Sequence, residues 1–150
     1  MLYGTFRFEC VIYTMGMVQI MVVDHYDLVR IALETRLRSA VGLEIVGSTS
    51  DYAEAVSKAQ QVRPDVILLE TKAPGGLETL RMLCNRLPQS AILVLTTYPD
   101  SQEEDETRRL GALRYLLKTL NTGELVREIR MAARQRAETL SKPVESVLYH

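Results

Sequence analysis

The chain has 150 residues, 47% hydrophobic and 25% charged, with 18 Lys and Arg against 19 Asp and Glu and a net charge of −1. This is the profile of one soluble globular domain, and its near-neutral charge without a basic run disfavours nucleic-acid binding by this chain alone and offers no attraction to a membrane. Cys10 and Cys84 lack metal-ligand spacing. With no secretion signal they suit reduced thiols in a cytoplasm, Cys84 as a core residue.

Residues 1–17 form an N-terminal segment in which Phe6, Phe8, Cys10 and Ile12 alternate with Arg7, Glu9, Val11 and Tyr13. The alternation fits an edge strand, but an extension outside the working fold is the favoured reading. Arg7 and Glu9 interrupt the apolar run, which excludes a signal-peptide core or a membrane span.

From Val18 short β-branched runs alternate with segments of helical spacing. Val18 to Val23 reads as a buried strand, followed by a helix with Asp27 as N-cap and Leu28, Ile31, Ala32, Leu33 and Leu37 as its apolar positions. A strand over Leu43 to Val46 precedes a helix over Asp51 to Val62, with Ala53, Ala55, Val56 and Ala59 toward one side. Val66 to Leu69 precedes a helix over Leu77 to Leu87, and Ala91 to Leu95 precedes a charged helix over Ser101 to Leu110. Arg114 to Leu117 is the last strand, and a helix over Thr122 to Ala137 carries Leu125, Ile129, Ala132 and Ala133.

Five strand–helix units predict an α/β domain over residues 18–137, a doubly wound five-stranded parallel sheet with helices on both faces. Ligand crevices of such sheets lie beyond the carboxyl ends of the strands. Asp24, Glu70, Thr96 and Lys118 all fall at such ends. No Gly-rich nucleotide loop and no nucleophile–base pair is present, so an enzyme is not expected.

Val22-Val23-Asp24-His25-Tyr26-Asp27, Val66-Ile67-Leu68-Leu69-Glu70, Leu93-Val94-Leu95-Thr96-Thr97 and Gly111-Ala112-Leu113-Arg114-Tyr115-Leu116-Leu117-Lys118 together resemble the receiver domains of two-component response regulators. The resemblance is to the CheY-like superfamily, and within it to receivers of the LuxR-type transcriptional regulators. It implies phosphorelay signalling, a flavodoxin-like fold and a histidine kinase as upstream partner. Asp24 matches the first acid of the acidic site, His25 stands where the second carboxylate is usual, and Glu70 stands at the phosphoacceptor position. Thr96, Tyr115 and Lys118 match the hydroxyl, aromatic and lysine of the switch. Tyr115 is equally compatible with rotation between buried and exposed states and with a fixed core role.

In receivers a divalent cation and the lysine neutralise charge during phosphoryl transfer to an aspartate. Imidazole serves Mg²⁺ poorly, and a glutamate moves its carboxylate about 1.5 Å farther out. The loop Pro74-Gly75-Gly76 also runs shorter than the pattern it resembles. A degraded Mg²⁺ site and an atypical, phosphorylation-independent receiver are expected, with no metal ligands assigned. Glu70 either reaches Lys118 and holds an activated-like arrangement or forms an ordinary ion pair without switching. His25 either pairs with an acid and titrates near neutrality or is a non-switching histidine.

The helix over Ser101 to Leu110 has almost no apolar face and is expected to be loosely held. The resemblance places a partner or homodimer surface on the face from this fourth helix to the fifth, where Arg127, Arg130, Arg134 and Arg136 read as a solvated helix face. Residues 138–150, with Leu140-Ser141 and Pro143, resemble an interdomain linker. The seven residues after Pro143 are too few for a LuxR-type DNA-binding domain. The alternative reading is a conventional phosphate-accepting regulator acting on transcription through such a domain.

Overall fold

The computed structural model describes residues 16–141. Strands and helices alternate as β1 (Val18–Val23), α1 (Asp27–Arg38), β2 (Leu43–Thr49), α2 (Tyr52–Val62), β3 (Val66–Leu69), α3 (Gly76–Arg86), β4 (Ala91–Thr96), α4 (Ser101–Leu110), β5 (Arg114–Leu117) and α5 (Thr122–Ser141). All strand pairs are parallel and the sheet order is β2-β1-β3-β4-β5. This is the doubly wound arrangement that the strand–helix alternation predicts. The alternating segment within residues 1–15 and the tail beyond residue 141 lie outside the described residues.

The central strands bury both faces, so their apolar runs are continuous and successive side chains divide between two cores. Ile20, Val22, Leu68, Leu93 and Leu95 point toward Leu33 and Leu37 of α1 and Leu125 and Ile129 of α5. Met21, Val23, Ile67, Leu69 and Val94 point toward Ala55 and Ala59 of α2 and Leu80 and Leu83 of α3.

Several local expectations are corrected. Asp27 is not the N-cap of α1: Tyr26 occupies that position without a side-chain cap, and Asp27, in the first turn, pairs with Arg30 at 2.6 Å. Only Leu33, Glu34 and Leu37 of α1 are buried, while Leu28 is 84% exposed and Ile31 and Ala32 are exposed as well. At about 100° per residue Leu28 and Leu37 lie on opposite sides of a helix, so five apolar positions spread over about two and a half turns cannot all face one sheet. In α2, Asp51 caps Ala53 N–H at 2.9 Å, and Ala53 itself faces outward.

β2 continues through Gly47-Ser48-Thr49, which pair with Met21, Val22 and Val23 after a register shift. The apolar run stops at Val46 and leaves these three residues out of the expected strand, because an edge strand needs backbone pairing, not apolar side chains. Helix α3 starts at Gly76, one position earlier than the apolar spacing indicates, and α5 runs on to Ser141.

Helix α4 buries only Thr107, in keeping with its missing apolar stripe. Its ends are fixed by polar geometry instead. Asp100 accepts from Gln102 N–H at 2.9 Å and Glu103 N–H at 3.4 Å, and Gly111 closes the helix with φ 118 in the left-handed region.

Candidate functional site

Parallel pairing sets the site. Asp24 N–H donates to the Thr49 carbonyl at 3.1 Å and Glu70 N–H to the Val23 carbonyl at 3.0 Å, which places the two acids side by side at the ends of β1 and β3. Lys118 N–H donates to the Thr96 carbonyl at 2.8 Å, so the lysine leaves β5 beside the end of β4. Asp24, Glu70, Thr96 and Lys118 therefore meet at one carboxyl edge, as their positions in sequence suggest.

Their pairing differs from the expected one. Lys118 Nζ lies 2.7 Å from Asp24 Oδ2, with side chains 10% and 3% exposed, and stands 5.6 Å from the centre of the Tyr26 ring. Asp24 Oδ1 accepts Tyr26 N–H at 2.9 Å. Among the described residues no ion pair joins Glu70 to Lys118, so the expected Glu70–Lys118 contact is replaced by Asp24–Lys118. The register explains this: Asp24 already supplies a buried carboxylate beside the lysine, while the longer Glu70 side chain finds donors in its own loop.

Glu70 is buried and its carboxylate is satisfied without a cation. Oε1 accepts Lys72 N–H at 2.7 Å, and Oε2 accepts the Tyr52 hydroxyl at 3.2 Å and Ala73 N–H at 3.3 Å. The Tyr52 hydroxyl also contacts the Glu70 carbonyl. Burial first, then the charge and hydrogen bond of Glu70, push the Tyr52 phenol well above the usual tyrosine range. The carboxylate thus organises the turn that follows it. That turn is tight: a Cβ at Gly76 would lie 2.3 Å from the Thr71 carbonyl oxygen, and Gly75 has φ 91.

His25 is exposed, its ring edge-on to Tyr26 with centroids 5.5 Å apart, and neither Asp24 nor Glu70 has it as a hydrogen-bond partner. It borders an open cleft of about 600 Å³ with Asp27, Ser50, Asp51, Tyr52 and Pro74. Thr96 is buried and its hydroxyl donates to the Tyr98 carbonyl at 3.0 Å. Tyr115 is half-buried, packs against the core shared with α3, and its hydroxyl accepts Asp100 N–H at 3.2 Å.

Three contributors escape the sequence reading. Tyr52 has no motif and could be found only from its place just beyond a strand's carboxyl end. Glu103, in the first turn of α4, accepts the Thr71 hydroxyl at 2.7 Å and pairs with Lys72, whose ammonium pKa is raised by that hydrogen bond. Arg36 ties α1 to the loop after Lys118, donating to the Lys118 carbonyl at 3.0 Å, the Thr122 hydroxyl at 3.1 Å and the Leu120 carbonyl. Cys84 is a half-buried free thiol whose pKa burial raises.

The Mg²⁺ that the family implies does not fit this donor set. Each carboxylate oxygen of Asp24 and Glu70 already has a protein partner, the neighbouring side chain is an imidazole, and among the described residues no cluster of three or more His, Cys, Asp or Glu is placed to hold a metal. No described helix is long and apolar enough to cross a membrane.

Residues 20–130 match the family described as the response regulator receiver domain, and the chain belongs to that family. It is 33% identical over 134 residues to the transcriptional regulatory protein LiaR of Bacillus subtilis, covering 88% of this chain and 64% of LiaR. It is 32% identical over 117 residues to the response regulator GacA of Pseudomonas viridiflava, covering 77% of this chain and 55% of GacA. A two-component response regulator of the LuxR family from Aurantimonas superposes with a TM-score of 0.74 at 25% identity, covering 81% of this chain and 88% of that one. The class is thus a receiver domain of two-component signalling with LuxR-type relatives; such domains are not classical enzymes. The chain spans less than two thirds of the length of LiaR and of GacA.

Proposed function

We propose that this chain is an atypical receiver in which Glu70 takes the phosphoacceptor position and whose signalling state does not depend on phosphorylation. The observation that supports this reading is the engagement of both Glu70 oxygens by Tyr52, Lys72 and Ala73, while Lys118 is neutralised by Asp24. An acceptor must present a free oxygen in line with the phosphoryl donor, with cation and lysine turned toward the incoming charge. Here the carboxylate works as a fixed organiser of the β3–α3 loop. Output runs through protein contacts on the α4–β5–α5 face, where Tyr98, at its edge, is 73% exposed and α4 offers Gln102, Asp105 and Glu106 to solvent. The partner is a second protein or a second copy of the chain.

Treatment with acetyl phosphate and Mg²⁺ followed by mass spectrometry of the intact protein tests this. An unchanged mass is expected. Stoichiometric gain of one phosphoryl group would overturn the reading.

The second reading is a conventional regulator that takes phosphate from a histidine kinase and acts on transcription through a LuxR-type DNA-binding domain outside this chain. It is favoured by the greater length of LiaR and GacA and by LiaR's description as a transcriptional regulator. It requires Tyr52 and two backbone amides to release the Glu70 carboxylate first.

A further inference from the structure

Asp100 and Glu103 stand at the N-cap and third helical positions of α4. This spacing is that of a capping box, in which the glutamate folds back onto the N–H of the capping residue. In this structure the box is open. The Asp100 N–H is taken by the Tyr115 hydroxyl at 3.2 Å, and the Glu103 carboxylate reaches outward to the Thr71 hydroxyl at 2.7 Å and to the Lys72 ammonium. Glu103 is only 12% exposed in that position, so it is held by the loop and is not a freely solvated surface acid.

We propose that Glu103 is a two-position residue that couples the loop behind Glu70 to Tyr115. Strapped to Thr71 and Lys72, it holds the start of α4 against that loop and leaves the Asp100 N–H to Tyr115. Released, it closes the capping box on the same N–H and displaces the Tyr115 hydroxyl. One backbone donor thus has two competing acceptors, and occupancy by one excludes the other.

The strap begins at Glu70. Its carboxylate fixes Lys72 N–H and Ala73 N–H, and Tyr52 fixes the carboxylate, so the Lys72 and Thr71 side chains are presented to Glu103 by a loop that Glu70 shapes. Between the strap and α4 lies a polar cleft of about 250 Å³ lined by Thr71, Lys72, Leu77, Asp100, Gln102, Glu103 and Glu106. The cleft gives the Glu103 side chain room to swing. The two arrangements conserve the hydrogen bond at Asp100 and differ by the Thr71 and Lys72 contacts of Glu103, so weakening either contact shifts the exchange toward the closed box. The inference rests on the proposed role of Glu70 as organiser and identifies how its loop reaches the α4–β5–α5 face without a phosphoryl group.

The test uses the full 150-residue chain with no phosphoryl donor present. Lys72→Met and, separately, the near-isosteric Thr71→Val weaken the strap while leaving Glu103 in place. Nitration of Tyr115 by tetranitromethane, located by peptide mapping, should rise about fivefold in either variant, the scale of losing one ordinary hydrogen bond. The Asp100 amide should stay protected from hydrogen exchange, because Glu103 replaces Tyr115 as its acceptor. Adding Glu103→Ala to Lys72→Met removes the competing acceptor and should return Tyr115 nitration to the level of the parent chain, with the Asp100 N–H held by Tyr115 as before.

If Tyr115 reactivity is unchanged in both strap variants, if Lys72→Met alone exposes the Asp100 amide, or if nitration stays raised when Glu103→Ala is added to Lys72→Met, the exchange does not occur. Protection of Leu125 to Ala132 in α5 serves as the folding control, and Thr71→Val carries the test should Lys72→Met fail that control. Acetyl phosphate labelling is a separate measurement. Phosphorylation with the coupled response intact would reject the proposed function and leave the strap standing, while no phosphorylation with no coupled response would do the reverse.

Discussion

The Lys118 ammonium lies 2.7 Å from Asp24 Oδ2, and it is this pair, not one with Glu70, that neutralises the lysine. The two acids at the ends of β1 and β3 therefore have separate partners: Asp24 a cation and Glu70 neutral donors. A charge change at Glu70 is felt first in the β3–α3 loop.

Lys118→Met should destabilise the chain by roughly 3 kcal/mol, because it strands a buried carboxylate without its counter-charge. Urea denaturation of the single and double variants measures the coupling. The Lys118–Asp24 cycle should give at least about 1 kcal/mol, whereas a Lys118–Glu70 cycle should stay within about 0.5 kcal/mol. The reverse ranking would restore a Glu70–Lys118 pair.

Tyr52→Phe removes the hydroxyl that donates to Glu70 and should cost about 2 kcal/mol near neutral pH, as for a hydrogen bond to a charged group. The raised phenol pKa has a definite sign: its contribution is complete below the unfolded tyrosine value of about 10 and is lost as pH rises through the folded value. Absorbance at 295 nm should show one tyrosine of the folded parent failing to ionise near pH 10, and Tyr52→Phe should leave the amplitude that does titrate there unchanged.

The five-stranded parallel sheet and the carboxyl-edge cluster were legible because they follow from the alternation of short apolar runs with helical spacing and from where each run stops. Asp24, Glu70, Thr96 and Lys118 are each the first polar or charged residue at or beyond a strand end. Their pairing was not legible, since which acid takes the lysine depends on side-chain length and on loop donors such as Lys72 N–H and Ala73 N–H. Glu103 carries no mark of its own in the charged run of α4, because nothing in its neighbours announces a loop 32 residues upstream. The capping-box spacing from Asp100 was the signal available, and it points to a contact that the structure leaves unmade.

Mg²⁺ titration followed by amide chemical shifts should show no saturable change at Asp24, His25 or Glu70 below about 10 mM, since a hard cation must displace Lys118 or Tyr52 to gain oxygen ligands. Saturation at lower concentration would mean that these contacts yield readily. His25→Asp with Glu70→Asp supplies a second carboxylate and shortens the first, and should bring binding into the millimolar range.

Gly76→Ala should destabilise the chain by roughly 3 kcal/mol, because the added methyl meets the Thr71 backbone instead of a movable side chain. Relief requires the β3–α3 turn to open, which also moves the donors of Glu70. A change of less than about 0.5 kcal/mol on urea denaturation would show that the turn is slack.

The outward face of α1 gives the sharpest contrast between pattern and packing. Leu28 and Leu37 are the same residue type on one helix, yet Leu37 is fully buried while Leu28 is 84% exposed. Leu37→Ala leaves a cavity against Ile20, Leu33 and their neighbours and should cost about 3 kcal/mol, whereas Leu28→Ala removes almost no buried area and should cost under about 0.5 kcal/mol. Denaturant midpoints of the two variants at dilute concentration decide it. A large loss at Leu28 that grows with protein concentration would mean that the exposed face is covered by a second copy, and the same loss without concentration dependence would mean that α1 is rotated from the position described.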